Sequence, residues 1–264
     1  MSALTGLPRE AVLGWLCLAS GLGACLGSFA NVLIHRLPRG ESVSGPRSRC
    51  PHCGHRVRWH DNIPIVSWLM LRARCRDCGA PISARYVCVE LAGAALGALV
   101  LLRFGPSIAA VAALLFLVDL LAVAVIDWQF MIIPHSLTIA GMVLGLALSV
   151  WCPVGPGGAL VGLLAGAGLI LALGYGYKAV RGELGMGGGD VMLMGMVGSF
   201  TGVRGVLLVL LGGALLGTAY AAVRYRASLA GKTRLPFGTF LALAAAGACL
   251  AGEAAFRWYL DLLH

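Results

Sequence analysis

Two aspartates stand where a membrane-spanning chain would ordinarily avoid them. Residues 187–190 read Gly-Gly-Gly-Asp and open an apolar stretch from Val191 to Phe200. Asp127 ends another apolar stretch 63 residues earlier, in the run Val125-Ile-Asp-Trp-Gln-Phe-Met-Ile-Ile-Pro134. A charged carboxylate at the centre of a bilayer costs roughly 2.5–3.5 kcal/mol or more, so such a residue is a functional candidate by default. Two carboxyls brought close together cannot both ionise and titrate as a pair. Such a pair can hydrolyse a peptide without a metal or a covalent intermediate: the ionised member takes a proton from water, and the protonated member donates to the carbonyl oxygen. Each aspartate also has a plainer reading, Asp190 as a helix N-cap and Asp127 as a solvated helix end. Asp119, eight residues before Asp127 and deeper in the same stretch, is a third candidate for the pair. Glu90 and Glu253, near or within apolar stretches, read as helix–helix hydrogen-bonding groups.

Four of the nine cysteines form Cys50-Pro-His-Cys53-Gly and Cys75-Arg-Asp-Cys78-Gly, a C-x2-C-x21-C-x2-C pattern. Two such knuckles supply four thiolates for tetrahedral Zn²⁺, with a glycine after each pair to permit the tight turn. Four thiolates close the coordination sphere, which makes the expected site structural, and Arg49, Arg56, Arg74 and Arg76 are at hand to offset its charge. A pair of disulfides is the competing reading, and a reducing compartment disfavours it. His52, His55 and His60 are the substitute ligands. Cys17, Cys25, Cys88, Cys152 and Cys249 are scattered in apolar sequence and read as small buried hydrophobes.

The elements that must position these groups are membrane helices. The chain has 264 residues, of which 59% are hydrophobic and only 12% charged, with a mean hydropathy of +0.88 and 38 glycines. Soluble domains carry about 25% charged residues, and small residues let membrane helices approach closely. The expected fold is an all-α polytopic membrane protein of about eight spans, near 10–34, 86–103, 106–126, 136–152, 157–179, 190–203, 204–223 and 236–258. The first apolar stretch, Ala11 to Ile34, is too long for a signal-peptide core and lacks a charged leader, so it reads as a retained span. Three regions follow: a first transmembrane helix over 1–35, a four-cysteine segment over 36–85, and a membrane-embedded helical core over 86–264.

The net charge of +9 raises nucleic acid as a partner, but its distribution speaks for membrane topology instead. Placing 36–85 in the cytoplasm puts its ten arginines there with Lys178, Arg181, Arg224, Arg226, Lys232 and Arg234, which is 16 of the 20 basic residues. Only Arg9, Arg103, Arg204 and Arg257 fall on the other side. The positive-inside rule favours this orientation. It also brings Asp127 and Asp190 to the same face, the first at a helix C-terminus and the second at an N-terminus. The helix dipoles alone then favour the proton on Asp127 and the charge on Asp190.

Taken together these residues resemble the type IV prepilin peptidases of bacterial pilus and type II secretion systems. The resemblance covers nearly the whole chain and runs in the family's order. It includes Gly27-Ser28-Phe29-Ala30-Asn31-Val32 with Arg36-Leu37-Pro38, the two cysteine pairs, and Arg85-Tyr86 with Val89-Glu90. It continues with Ile126-Asp127, Ile133-Pro134, Gly187-Gly188-Gly189-Asp190 and Leu235-Pro236-Phe237-Gly238. It implies a GxGD aspartyl peptidase of the bacterial inner membrane with Asp127 and Asp190 as the catalytic pair and Cys50, Cys53, Cys75 and Cys78 as zinc ligands. The implied substrates are prepilins or pseudopilins, cut on the cytoplasmic side just after a glycine. N-methylation of the new terminus by S-adenosylmethionine is implied as a second activity. The chain has no G-x-G-x-x-G fingerprint for a soluble cofactor domain. Glu41, Asp61, Asp77 and Glu183 are the acidic candidates for contact with a basic leader. Two positions depart from the pattern: Met192 stands where the family has Lys, and His135 where it often has Asp. Two other classes compete with the peptidase, a proton- or cation-coupled transporter using the same carboxylates and a non-catalytic assembly protein docking through its cysteine segment.

Overall fold

The computed structural model describes residues 8–45, 47–182, 185–224 and 235–262, with side chains as far as Gly252 in the last stretch. Regular structure among them is helical, and β-pairing is confined to two isolated bridges, Arg49 with Arg56 and Arg74 with Pro81. The chain divides into two compact units, Met1–Ala110 and Val111–His264.

The first unit is a helical pair carrying a looped segment. Helix α1 (Arg9–Arg36) begins after Pro8, which fits the position before a first turn, and ends with His35 and Arg36 at its negative pole. Helix α3 (Ala84–Phe104) is capped by Ser83, whose hydroxyl accepts the Arg85 N–H. The two run antiparallel with backbones in contact. A methyl group added at Gly27 would lie 2.8 Å from the Val89 carbonyl oxygen, and one at Gly23 would overlap the Gly93 carbonyl. Membrane helices without a hydrophobic drive for association use this kind of close approach. At the end of the seam Asn31, buried, donates from Nδ2 to the Tyr86 carbonyl at 2.9 Å.

The segment between them is anchored to α3 by a single carboxylate. Glu90 is buried and its Oε2 accepts the Ile65 N–H at 2.7 Å, at a residue held in the left-handed region (φ 64°) just before the short helix α2 (Val66–Met70). Glu90 therefore ties loop to span, where the sequence suggested a bond between helices. Ser67 completes the turn, donating to the His60 carbonyl at 2.8 Å and accepting the Ile63 N–H at 3.1 Å.

The second unit is built on α4 (Ile108–Phe130), whose Phe116, Leu117, Leu120, Val123 and Ile126 are fully buried. Phe116 stacks on Phe200 at 4.3 Å between centroids. Against α4 lie α5 (His135–Leu148), α7 (Gly188–Arg224) and α8 (Phe237–Leu262), and α6 (Gly155–Arg181) packs on α7. Gly162 and Gly198 bring the backbones of α6 and α7 together, and Gly141 and Gly145 admit Met196 and Ser199 of α7 against α5.

Helix α7 is broken at Gly202, whose φ of 66° and ψ of −174° are not helical. Asp190 near its start and Tyr220 near its end both lie at the Asp127 end of the unit, Tyr220 packing edge-on against Trp128 at 5.5 Å. A straight helix would hold residues 190 and 220 about 45 Å apart, so the chain doubles back at Gly202. The boundary expected between residues 203 and 204 falls one residue past this reversal.

Among the described residues five helices are long and apolar enough to cross a membrane (α1, α3, α4, α6 and α7), and α5 and the described part of α8 are shorter apolar helices. The scattered cysteines are not buried as expected: Cys17, Cys25 and Cys88 are exposed, and Cys152 and Cys249 partly so. On apolar spans the outer face meets lipid, which accepts a thiol as readily as a core does.

Candidate active site

Three helix ends and one loop converge on Asp127. Helix α4 stops three residues beyond it, where Met131 enters the left-handed region (φ 54°) and donates its N–H to the Asp127 carbonyl at 2.8 Å. The chain then crosses Ile132, Ile133 and Pro134 into α5. The α8 N-terminus arrives from the other direction. There the Thr239 N–H and hydroxyl both reach Asp127 Oδ2, at 2.7 and 3.0 Å. The same hydroxyl lies 3.1 Å from the Ala124 carbonyl. Asp127 is 5% exposed.

Asp190 is the third residue of α7, not its N-cap. Its Oδ2 accepts the Gly187 N–H at 3.1 Å, the backward half of a capping box. Ile133 joins the two aspartates. A methyl at Gly189 would meet its Cβ at 2.9 Å, and one at Gly238 would meet its Cδ1 at 2.6 Å. Both glycines are thus filled by one side chain, and Gly238 also leaves room for the Asp127 carboxyl, whose Cγ and Oδ2 would be 3.1 Å from an added methyl. The helix ends that bear Asp127 and Asp190 thus face each other across Ile133.

Asp119 stands apart. It lies eight residues, about 12 Å, back along α4. Its Oδ2 is buried without a hydrogen-bond partner among the described residues, beside Gly141 of α5, where an added methyl would come within 2.8 Å. Met192 and His135, at the two departures from the family pattern, are both exposed. Sequence reasoning missed Thr239 and the wedging role of Ile133. Thr239 directly follows the Leu235-Pro236-Phe237-Gly238 run, and a hydroxyl at the third position of a helix was the available signal.

The four cysteines meet in the first unit. Their Sγ atoms all lie within 4.8 Å of one another, Cys50 and Cys78 at 3.8 Å. Zinc–sulfur bonds of ~2.3 Å in a tetrahedron put sulfurs about 3.8 Å apart, so the donor set and its spacing fit a metal ion. None of the four is in a disulfide, and their spacing is that of a metal cluster. The knuckles are near copies: Cys50 N–H to His55 O and Cys75 N–H to Ala80 O at 2.9 and 2.8 Å, with Gly54 and Gly79 at φ 70° and 71°. They are cross-braced. Arg76 grips Asp61 through three contacts of 2.6–3.1 Å, and Arg58 meets Asp77 at 3.1 Å. The Arg76 guanidinium holds the Asp61 carboxyl below the usual carboxylate range. Asp61 and Asp77 are therefore engaged within the segment, Glu41 lies 3.9 Å from His35, and Glu183 is outside the described residues, as are Arg226, Lys232 and Arg234.

The fold and site define a polytopic helical membrane protein with a paired-carboxylate helix junction and a four-cysteine cluster. Residues 22–104 match the bacterial peptidase A24 N-terminal domain, and residues 113–222 the type IV leader peptidase family. A prepilin leader peptidase/N-methyltransferase of Burkholderia pseudomallei (strain K96243) is 36% identical over 96% of this chain and 89% of its own length. That of Aeromonas hydrophila is 37% identical over 89% of this chain and 90% of its own. One from Myxococcus xanthus (strain DK1622) is 45% identical over 72% of this chain, and there the match spans 57% of the relative's length. No solved structure matches the chain. The chain belongs to the type IV leader peptidase family.

Proposed function

We propose that this protein is an aspartyl endopeptidase that removes the basic leader from type IV prepilins or pseudopilins after a glycine, with Asp127 and Asp190 as the catalytic pair. The observation that carries this reading is the convergence of the helix ends that bear the two aspartates, with Gly189 and Gly238 both closed against Ile133 and Asp127 beside Gly238. Their family membership and the names of the relatives support it. One carboxylate takes a proton from water as the water oxygen adds to the scissile carbonyl carbon. The other carboxyl donates its proton to the carbonyl oxygen, giving a neutral diol. Collapse of the diol breaks the C–N bond: the departing amine takes up the proton collected from water, and the other carboxylate takes back a proton from a diol hydroxyl, which restores the pair. A prepilin leader can stay in the aqueous phase while its apolar helix lies in the bilayer, which sets the scissile bond at the interface. A glycine there keeps the backbone accessible in an otherwise helical segment.

The same reading puts the protein in the bacterial inner membrane as a multi-pass chain with the cysteine segment and both aspartates facing the cytoplasm, from the distribution of its Lys and Arg. Cys50, Cys53, Cys75 and Cys78 would hold Zn²⁺, which would serve as a structural tie between the two knuckles rather than as a catalytic metal. S-adenosylmethionine would supply a methyl group to the new N-terminal amine. Among the described residues Asn31 fits such a ligand: its Oδ1 is buried without a hydrogen-bond partner and can accept from one.

The test is cleavage of a prepilin in membranes by wild type, Asp127→Asn and Asp190→Asn. Wild type trims the leader after its glycine, and both variants remain folded and fail. Normal cleavage by either variant overturns the paired-carboxylate mechanism and returns Asp119 to consideration.

A further inference from the structure

We propose that Thr239 is the positioning residue that decides the division of labour within the pair, holding Asp127 as the ionised base and leaving the shared proton to Asp190 as the acid. This rests on the paired-aspartate reading above, and it reverses the placement that the helix ends alone suggest.

The two carboxyls are served unequally. Asp127 Oδ2 is approached by two donors of one residue, the Thr239 N–H at 2.7 Å and its hydroxyl at 3.0 Å. Asp190 Oδ2 accepts one backbone N–H, from Gly187 at the longer distance of 3.1 Å. The hydroxyl has one proton and two acceptors in reach, since the Ala124 carbonyl is also at 3.1 Å. That carbonyl lies inside α4, where its first demand is met along the helix. Asp127 Oδ2 is also the nearer of the two acceptors, at 3.0 Å against 3.1 Å. The hydroxyl therefore donates to Asp127.

Magnitudes decide against the dipole expectation. A helix end biases a nearby charge by about 0.3–1 kcal/mol, whereas each hydrogen bond to a charged group contributes about 1.5–3 kcal/mol. Asp127 has two such donors, and the α8 N-terminus that supplies them adds its own positive pole, opposing that of the α4 C-terminus. The groups facing Asp127 leave this balance intact. Asp190 on α7 is its titratable neighbour, and His135 at the start of α5 is exposed. Arg226, Lys232 and Arg234, which precede α8, lie outside those residues.

In the reaction this places the incoming water at Asp127, which takes its proton, and the substrate carbonyl oxygen at Asp190, which protonates it. Asp127, held on one oxygen by Thr239, keeps its other oxygen, Oδ1, for the water.

The pH profile of kcat/KM, measured on the full-length protein in proteoliposomes with a prepilin substrate, separates the two assignments. The acidic limb reports the first ionisation of the pair and the basic limb the second. Thr239→Val removes the hydroxyl and keeps the N–H and the side-chain shape. If Asp127 is the resting anion, the variant's acidic limb moves to higher pH by about one to two units, the size of one charged hydrogen bond, and its basic limb stays. Thr239→Ser, which keeps the hydroxyl, restores the wild-type acidic limb. A basic limb that moves while the acidic limb stays makes Asp190 the resting anion and overturns the proposal. Limbs that both stay, or a Ser variant that behaves like Val, overturn it as well. Asp127→Asn is run alongside: cleavage by that variant sinks the paired-aspartate reading itself, whereas its silence together with a shifted basic limb sinks only this assignment.

Discussion

Gly238 is the tightest point of the junction, and Gly238→Ala tests it. The added methyl would sit 2.6 Å from Ile133 Cδ1 and 3.1 Å from Asp127 Cγ and Oδ2. Carbon contacts settle at about 3.5–4.0 Å, so the methyl is about 0.9 Å too close to Ile133 and about 0.4 Å too close to Asp127. Overpacking of this kind costs about 1–3 kcal/mol of stability. The Ile133 contact is with the far end of a flexible side chain and can relax. Asp127 is pinned by two hydrogen bonds from the residue after the glycine and moves only by lengthening them. A 1 Å misplacement of a catalytic group costs about a hundredfold, so a shift of about half that size should lower kcat about tenfold with the protein still folded. Combining the change with Ile133→Val deletes the Cδ1 contact but leaves the Asp127 contact. The double variant should regain folded yield and thermal stability while cleavage stays about tenfold down. Detergent-solubilised yield, melting temperature and single-turnover prepilin cleavage provide the readouts. Wild-type cleavage by Gly238→Ala, or full recovery of cleavage in the double variant, would refute the reasoning.

Purified protein should carry one zinc per chain by mass spectrometry, and Cys53→Ser or Cys78→Ser should reduce this to near zero, since a four-thiolate site tolerates no missing ligand. Glu90→Leu strands the Ile65 N–H at a cost of about 1–3 kcal/mol; limited trypsin digestion should then cut faster at Arg72 and Arg74 while the spans stay intact. Gly198→Ala drives a methyl into the Gly162 backbone and should abolish accumulation of folded protein. Gly168→Ala, on the same α6 but with nothing within 4 Å of the added methyl, should be tolerated and gain about 0.5–1 kcal/mol.

Much of this architecture is written in local sequence. Apolar runs of about 20 residues have few structures open to them in lipid, and each expected span lies on a helix. The reversal at Gly202 was legible as a boundary because Thr201-Gly-Val-Arg204 interrupts two apolar runs. The knuckles were legible for the same reason: two cysteines and a glycine at fixed spacing have one good way to fold about a metal. What stayed hidden depends on residues far apart in sequence. Thr239 reaches Asp127 across 112 positions, and Glu90 reaches Ile65 across 25. A lone threonine or glutamate carries no mark of its partner. Helix polarity could be read from Asp127 and Asp190, whereas the Thr239 donors to Asp127 arrive on another helix. The scattered cysteines misled in another way: in a membrane chain an apolar position is as often outside as inside.

The glycine seams have a mechanical consequence. Where Gly23 meets Gly93 and Gly162 meets Gly198, backbone rests on backbone, and glycines one turn away, Gly27 and Gly97 in the first pair and Gly166 and Gly202 in the second, carry the contact along the seam. Contact spread over more than one turn locks the two helices of each seam together, so they move as one body. Any opening that admits a substrate helix to the Asp127 end of the second unit must therefore swing α6 and the first half of α7 as one lever, with Gly202 at its far end as the flexure.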